Sequence, residues 1–178
     1  IKAAAADAGL KTVDTGIKHG TVTVIVNHEP FEVTTYRADG TYSDGRHPDY
    51  IEFLDRIDGD LARRDFTINA MAYNPTRGLV DHFGGQRDLE AGILRAVGDP
   101  RERFTEDALR IVRGLRFAAQ LGFTIEPETS NAMHELRGLL DDIAVERIWI
   151  EFAGLLCGPY AVPVLREYHD IVFVIIPE

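Results

Sequence analysis

The spacing of apolar residues changes at Pro100, and this change constrains the fold more than any other feature of the chain. Before it, residues 20–27 and 31–37 alternate apolar with polar side chains and are rich in β-branched residues, which is typical of a β-hairpin. After it, apolar residues recur with the period of an α-helix. The predicted helices are residues 105–121, 126–140 and 145–156. We therefore predict an α+β fold, in which a mixed or antiparallel sheet precedes an all-helical part.

Turn and loop signals divide the first part into further elements. The segment "HEP" at residues 28–30 is predicted to form the hairpin turn, and the Gly-, Asp- and Ser-rich residues 38–50 a mobile loop. Residues 60–75 should begin as a turn and continue as a short helix, with Phe66 among its inward side chains. A short strand, a Gly-Gly turn and a second strand near residues 94–97 should follow.

The composition is that of one ordinary globular domain or two small ones. The chain has 178 residues, 45% of them apolar, with no signal peptide and no apolar run of about 18 residues, so we expect no membrane partner. Cys157 is the single cysteine and cannot form an internal disulfide, which favours a cytoplasmic location. No histidine pair has the spacing of zinc ligands, so a structural zinc is not expected.

The charged residues are unusual in kind. The formal net charge is −10 at pH 7, which argues against diffuse binding to nucleic acid, so DNA is not an expected partner. Sixteen of the nineteen cations are arginines, many of them between residues 56 and 116. Arginine is suited to bidentate recognition of phosphate, carboxylate or base edges, although arginine-rich composition alone also arises from GC-rich coding.

The predicted helix 105–121 has an unusual first turn. Thr105 is a suitable N-cap, and Glu106 and Asp107 suit the positive end of the helix dipole. Asp107 and Arg110 share a face, where they could form an exposed ion pair contributing about 0.3–0.5 kcal/mol. Alternatively, a carboxylate beside a guanidinium complements the pairing edges of cytosine and adenine, which offer an amino group beside an unprotonated ring nitrogen. Guanine and uracil present the reverse order.

Three longer segments resemble a known family. They are "RRDFTINAMAY" (residues 63–73), "DLEAGILRAVGDPRERFTEDALRIVRGLRFAAQLGF" (residues 88–123) and "VERIWIEFAGLL" (residues 145–156). Together with residues 15–53 they are similar to the class II tRNA nucleotidyltransferase and poly(A) polymerase family, in the family's order and over nearly the whole chain. The resemblance implies a partial nucleotidyltransferase head (residues 1–104), a helical neck (residues 105–150) and the start of a helical body (residues 151–178).

The resemblance also implies an activity and its partners. Members of this family add CMP and AMP from CTP and ATP to the tRNA 3′ end without a template and release pyrophosphate, using Mg²⁺. The family's "EDxxR" motif, which recognises the incoming base, falls on Glu106, Asp107 and Arg110, and Arg113 lies one turn further along the same helix.

A second family motif accounts for four more residues. "RRDFTINA" places Arg64, Asp65 and Asn69 at the ribose and phosphates of the nucleotide, with Arg63 beside them. From the residues alone, Asp65 could instead be a helix N-cap and the two arginines a solvated surface. CC-adding, A-adding and poly(A)-synthesising members share these motifs, so the sequence leaves the choice among them open.

The catalytic metals are the point where this sequence departs from the family. Nucleotidyl transfer in the family uses two divalent ions held by an Asp-x-Asp pair and a third carboxylate. Glu32 matches the third carboxylate and is the predicted catalytic and metal-binding residue, although it could also be an ordinary strand acid. No Asp-x-Asp precedes Gly20, and the Asp58-Gly59-Asp60 segment lies in the wrong place.

We therefore expect a fragment that lacks the upstream metal-binding segment and the downstream body and tail, and that is inactive alone. Two other classes of protein stay open. One is a non-catalytic nucleotide- or RNA-binding module. The other is a helix-turn-helix DNA-binding module built on Arg110, Arg113 and Arg116, against which the net charge and the lack of a second basic helix after a glycine turn both argue.

Overall fold

The computed structural model describes residues 1–17, 20–40 and 50–176. Its first part contains small antiparallel sheets and short helices, and its second part is mainly helical, which confirms the α+β prediction. A three-stranded antiparallel sheet has the order β1-β2-β3. Its elements, after helix α1 (Lys2–Asp7), are β1 (Lys11–Gly16), β2 (Thr21–Val26) and β3 (Glu29–Thr34).

The predicted hairpin is β2 and β3, and its turn is tighter than expected. The turn consists of Asn27 and His28, both with positive φ angles of 51° and 70°, and β3 already begins at Glu29. This left-handed pair matches the twist of a two-residue hairpin turn, so the "HEP" prediction was displaced toward the C-terminus. The predicted loop 38–50 starts within β4 (Arg37–Asp39), which pairs with β5 (Ile51–Phe53). Residues 41–49 of that loop lie outside the described residues.

The predicted helix over residues 60–75 is wrong. Helix α2 (Ile57–Ala62) is followed by a 3-10 turn (Thr67–Asn69) and then by strand β6 (Met71–Asn74), which pairs antiparallel with β7 (Gly78–Asp81). The strand forms because its backbone has a partner across a tight turn. Ala62, which lies within the segment predicted to be helical, is the last residue of α2 and is exposed. Phe66 is fully buried, as predicted.

The Gly-Gly segment begins a helix rather than a turn between strands. Helix α3 (Gly85–Ala91) follows Gly84, and the carboxylate of Asp81 accepts hydrogen bonds from the backbone N–H groups of Gly85 (2.8 Å) and Gln86 (2.9 Å). The strand expected near residues 94–97 is β8 (Ile93–Leu94), extended by an isolated bridge between Phe66 and Ala96.

The helical part contains one large interruption. The predicted helix 105–121 is two helices, α4 (Pro100–Glu106) and α5 (Leu109–Leu121), because Asp107 has an extended backbone (φ −149°, ψ 100°). Strand β9 (Thr124–Ile125) pairs in parallel with β8, so this part is not entirely helical. The remaining elements are α6 (Pro127–Leu136), a 3-10 helix (Arg137–Asp142), α7 (Val145–Leu156), α8 (Ala161–Glu167) and α9 (His169–Ile175).

The hydrophobic core surrounds α5. The apolar stripe predicted for this segment is buried throughout; it consists of Ala108, Ile111, Val112, Leu115, Ala118 and Ala119. Phe66 and Leu94 from the first part belong to the same core cluster as Phe104 of α4 and Phe152 of α7. Gly114 is required on α5 because a Cβ there would overlap the side chains of Met133 and Phe66. The expected domain boundaries at 104/105 and 150/151 fall inside α4 and α7, and the division into head, neck and body stays a prediction.

Candidate functional site

The turn that carries Arg63, Arg64 and Asp65 is fixed to the body of the protein by its backbone. The N–H of Val97 donates to the carbonyl of Asp65 (3.0 Å), and the N–H of Thr67 donates to the carbonyl of Arg95 (2.9 Å). The buried ring of Phe66 lies between these two hydrogen bonds along the chain and packs edge-to-face on Phe117. The polar side chains on either side of Phe66 are therefore held in place by the core.

A buried carboxylate on helix α3 also stabilises this turn. Asp88 on α3 is 1% exposed, accepts a hydrogen bond from the hydroxyl of Thr67 (2.8 Å) and is ion-paired with Arg95 (3.0 Å). Gly85 makes the close approach of α3 possible, since a Cβ there would overlap the carbonyl of Thr67. The sequence did not predict helix α3, yet its contacts with Thr67 hold the turn in position.

Asp60 fixes the two arginines. Its carboxylate lies 2.8 Å from Arg63 and 3.4 Å from Arg64, and Arg64 also donates to the carbonyl of Asn69 (3.2 Å). Burial opposes ionisation of Asp60, but hydrogen bonding and charge from Arg63, with smaller contributions from Arg37 and Arg64, hold its pKa below the usual range. Asp60 is thus an anchor for two cations.

The carboxylate of Asp65 has three hydrogen-bond partners. One oxygen accepts from the backbone N–H of Phe66 (2.8 Å) and from the side-chain amide of Asn69 (3.1 Å). The other oxygen lies 3.3 Å from the guanidinium of Arg113 on α5. The carboxylate therefore connects the turn with the helical part, which goes beyond a local N-cap.

The break between α4 and α5 brings charged groups to the same place. The N-cap of α4 is Asp99, whose side chain accepts a hydrogen bond from the N–H of Arg101 (2.8 Å). Thr105, the predicted N-cap, lies with Glu106 in the last turn of α4. Glu106 is ion-paired with Arg110 (2.8 Å) and with Arg103. The prediction that Glu106 begins a helix is wrong, because Asp99 and Pro100 supply an earlier start.

The ion pair considered between Asp107 and Arg110 is wrong as well. Arg110 is held by Glu106 and by the backbone carbonyls of Arg103 (3.1 Å) and Arg63 (3.2 Å). Asp107 is held by Arg147 of α7, whose Nη2 lies 3.3 Å and 3.1 Å from its two carboxylate oxygens. Each of the two residues therefore has its own support, which leaves their polar edges available to a third partner.

Nearly all the predicted nucleotide-binding residues line one cavity of about 440 Å³. The lining residues are Arg63, Arg64, Asp65, Asn69, Asp107, Arg110 and Arg113. Four guanidinium groups face two carboxylates and one amide, so the cavity offers cationic groups for phosphates and acceptors for hydroxyl or amino groups. Glu106 is the exception, since its carboxylate is engaged by Arg103 and Arg110.

A larger cleft of about 790 Å³ adjoins this cavity and shares Arg63 and Arg64 with it. Its other charged and aromatic lining residues include Asp60, Arg77, Tyr36 and Tyr73. We assign the functional site to the smaller cavity, because there the arginines face Asp65, Asn69 and Asp107 together, and this mixture of donors and acceptors can recognise a whole nucleotide.

Two residues of α7 were missed from the sequence. Glu151 is 7% exposed, and its carboxylate lies 3.1 Å from Arg113 and 2.7 Å from Arg116. The Arg116 contact lies off the hydrogen-bonding axis, so it is electrostatic in character. Burial lowers the pKa of Arg113, but the charges of Asp65 and Glu151 outweigh it and raise that pKa above its usual value. Arg147, the second residue, lies one helical turn earlier on the same face. An arginine and an acid at this spacing in an otherwise apolar segment are the signal that could have identified them.

Glu32, the predicted metal ligand, has no cluster of carboxylates around it among the described residues. It lies in β3, is exposed, and is paired across the sheet with Thr23. Among the described residues, no three His, Cys, Asp or Glu side chains come close enough together to hold a metal ion. Asp60 is ion-paired with Arg63 and Arg64, and Asp58 is ion-paired with Arg56 and lies 2.9 Å from the imidazole of His82. The described residues therefore do not by themselves fit a two-metal centre.

Across the ranges 1–17, 20–40 and 50–176, none of the helices has the length and apolar character needed to cross a bilayer.

Two family models match the chain. One is described as the poly A polymerase head domain and matches residues 2–95; the other is described as the probable RNA and SrmB-binding site of polymerase A and matches residues 122–171. The chain is 55% identical over 150 residues to the CCA-adding enzyme of Streptococcus mutans and 48% identical over 160 residues to that of Ligilactobacillus salivarius. These alignments cover 84% and 90% of this chain, which spans 37% and 40% of the length of the two relatives.

Solved structures show the same similarity. The CCA-adding enzyme of Bacillus stearothermophilus in complex with CTP matches 88% of this chain and 38% of its own chain, with a TM-score of 0.79 at 41% identity. The CCA-adding enzyme of Thermotoga maritima complexed with tRNA matches 99% of this chain and 41% of its own, with a TM-score of 0.79 at 28% identity. The head-domain match alone covers more than half of the residues, and it includes the turn that forms one wall of the cavity. The chain therefore belongs to the poly A polymerase family, as the resemblance in its sequence implied.

Proposed function

We propose that the protein is a template-independent tRNA nucleotidyltransferase that adds CMP and AMP to the tRNA 3′ end and releases pyrophosphate. One observation carries the proposal: Asp107 and Arg110 converge with Asp65 and Asn69 on one arginine-lined cavity. The similar proteins support it, since they include CCA-adding enzymes in complex with CTP or tRNA and a tRNA nucleotidyltransferase with a primer tRNA and an ATP analog.

The base would be recognised at the break between α4 and α5. Asp107 accepts a hydrogen bond from the amino group of cytosine or adenine, and Arg110 donates to the adjacent ring nitrogen. Of the five N–H groups of Arg110, its contacts to Glu106 and two carbonyls use three within the described residues, and the others remain for the base. Guanine and uracil would place a carbonyl against Asp107 and an N–H against Arg110, and both contacts are repulsive.

The sugar and phosphates would occupy the wall formed by the Arg63–Asn69 turn. Asp65 and Asn69 are hydrogen-bonded to each other (3.1 Å) and are suited to accept from and donate to ribose hydroxyls. Arg64, anchored by Asp60 and the carbonyl of Asn69, presents a preorganised cation for phosphate oxygens, and Arg63 adds a second. Because these contacts already restrict the two arginines, little side-chain entropy would be lost on binding.

Divalent metal ions, Mg²⁺ in this family, would supply activation of the tRNA hydroxyl and charge neutralisation at the departing pyrophosphate. We propose that Glu32 contributes one ligand. Because the described residues place no second and third ligand beside it, we derive no chemical step through the metals.

The proposed partners are tRNA, CTP and ATP, and we propose that the protein acts on them in the cytoplasm. The proposal includes no membrane or DNA partner.

The second candidate is a nucleotide- or RNA-binding module without catalysis of its own. The isolation of Glu32 from other metal-ligating side chains, within the part of the chain that the structure describes, favours it. Members that add only CC, only A or a poly(A) tail share these motifs, so CCA addition is proposed on the strength of the relatives.

Nucleotide addition by the complete gene product tests the proposal. Transcripts of tRNA ending before CCA, after C, or after CC are incubated with labelled CTP or ATP, and product length is measured on sequencing gels. The expected result is addition of CC and then A, with no extension by UTP or GTP. Failure to extend any of the three transcripts, with retained tRNA or nucleotide binding, would favour the module instead.

A further inference from the structure

Arg147 of α7 is the residue that orients Asp107. Its Nη2 lies between the two carboxylate oxygens at 3.3 Å and 3.1 Å, and both side chains are mostly buried. The two residues are forty positions apart in sequence, so the contact depends on how α7 packs against the helix break. Arg147 lies in the segment 145–156 that resembles the family, but outside the two motifs to which the sequence assigned nucleotide contacts.

The backbone at Asp107 makes this support necessary. Asp107 lies in an extended conformation between two helices, so its side chain lacks the restriction that packing within a continuous helix would impose. Within the described residues, the other hydrogen bond to its carboxylate comes from the N–H of Leu109, which donates to one oxygen at 3.2 Å. That single contact permits the carboxylate to turn about it, whereas Arg147 contacts both oxygens and defines the direction in which the acceptor edge points.

Helix α7 is rigid enough to act as this support. Ile148, Phe152 and Leu155 anchor it in the hydrophobic core, and one turn after Arg147 the buried carboxylate of Glu151 is paired with Arg113. The same helix therefore orients an acid of the cavity at one point and a cation of the cavity at the next. A side chain supported in this way keeps its direction when a ligand enters.

We propose that Arg147 is a specificity-determining positioning residue, which acts through Asp107 and fixes the acceptor that separates cytosine and adenine from guanine and uracil. The inference rests on the proposed function. A fixed carboxylate rewards an amino group and penalises a carbonyl at the same position. A carboxylate that can rotate binds the amino group of cytosine or adenine less strongly. It also repels the carbonyl group of guanine or uracil less, so both changes reduce the difference in binding between correct and incorrect bases.

The test compares nucleotide selectivity in Arg147→Gln, Arg147→Lys and the unchanged gene product. For each, kcat/KM is measured with CTP, ATP, UTP and GTP on tRNA transcripts. We expect Arg147→Gln to reduce the ratio of correct to incorrect nucleotides about tenfold or more, since one oriented charged hydrogen bond is lost. Arg147→Lys, which keeps the charge near Asp107, should recover part of the ratio.

A matched control separates positioning from general stability. Arg101 forms an ion pair with Glu135 (2.9 Å) on the exposed surface of α4 and lies outside the cavity. Arg101→Gln should leave all four kcat/KM values nearly unchanged. In the double variant Asp107→Ala with Arg147→Gln, selectivity should fall no further than in Asp107→Ala alone, because Arg147 acts only through Asp107.

Three outcomes have distinct meanings. If the unchanged protein uses CTP and ATP selectively and Arg147→Gln is equally selective, with all four values reduced in parallel, Arg147 is only structural and the inference is overturned. If the unchanged protein adds no nucleotide to any transcript, the proposed function fails, and with it the basis of the inference. Full recovery of selectivity in Arg147→Lys together with its loss in Arg147→Gln would support the inference.

Discussion

The guanidinium of Arg113 on α5 lies 3.3 Å from the carboxylate of Asp65, forty-eight residues earlier in the chain. This contact joins the helical part of the protein to the turn that carries Arg63, Arg64 and Asn69. Glu151 holds the other side of Arg113 (3.1 Å), so a chain of alternating charges runs from α7 through α5 to the ribose-binding wall proposed here. Changes at one end should therefore affect nucleotide binding at the other.

Glu151→Gln should weaken nucleotide binding, although Glu151 does not line the cavity. Its loss leaves Arg113 and Arg116 without their shared counter-charge, so Arg113 is free to draw Asp65 away from Asn69. We expect KM for CTP and ATP to rise several-fold and the free energy of unfolding to fall by about 1–3 kcal/mol. Steady-state kinetics and urea unfolding measure the two effects. Glu135→Gln, an exposed ion-pair partner on α6, is the matched control and should change neither.

Asp107→Ala should reduce use of both CTP and ATP. The acceptor for the amino group of either base is lost, and Arg110 alone still donates to a ring nitrogen or a carbonyl. We expect kcat/KM for both correct nucleotides to fall about tenfold to a hundredfold, with a smaller fall for UTP and GTP. Unchanged selectivity over UTP and GTP in this variant would contradict base recognition by Asp107.

Asp88→Asn should destabilise the fold more than a typical acid substitution. The residue is almost fully buried, accepts from Thr67 and balances the charge of Arg95, so its amide replacement leaves a cation partly unpaired. The expected loss is about 1–3 kcal/mol in the free energy of unfolding. Chemical denaturation provides the measurement, with the exposed neighbour Glu90→Gln as the control. An equal effect of the two substitutions would show that the Asp88 network contributes little.

Asp60 should make the protein sensitive to acid. Its pKa in the folded state is below the ordinary 3.8, so its ionised form stabilises the fold above that value, and this contribution is lost as the pH falls through the folded pKa. Asp60→Asn should be less stable than the unchanged protein at about pH 6, and the gap should narrow steadily below about pH 4. Unfolding free energies at several pH values test this. The exposed Asp55→Asn should show a smaller, flatter difference.

The sequence predicted the features that depend on local periodicity. The buried stripe of α5 and the hairpin of β2 and β3 follow from spacing alone, because burial on one face repeats with the geometry of the element. Strand β6 was mistaken for a helix because its conformation depends on pairing with β7, which local propensity does not contain. Helix α3 was missed since Asp81, which accepts hydrogen bonds from its first N–H groups, lies four residues before Gly85.

The candidate site shows the same division. The resemblance in motifs predicted which side chains would meet, and the cavity contains seven of those residues. It did not predict which residues support them. The helix break at Asp107 and its contact to Arg147 arise from packing between α5 and α7, and a continuous helix satisfied every local rule. The spacing of Arg147 and Glu151 marks α7 as unusual, but it does not show which side chains of a distant segment the two residues contact.

The last prediction concerns residues 1–178 as an isolated protein. Glu32 is the one metal ligand that the family motifs assign to this sequence, and within the described residues no cluster of three potential ligands surrounds it. One carboxylate with waters holds Mg²⁺ weakly, so titration calorimetry should show no tight, stoichiometric binding. We expect these residues alone to bind CTP or ATP at most weakly and to add no measurable CMP or AMP to tRNA, because the metals would supply most of the rate. The complete gene product, assayed in parallel on the same transcripts, is the positive control. Template-free addition by residues 1–178 would place the metals on carboxylates assigned here to structural roles, with Asp58 and Asp60 the first to be substituted.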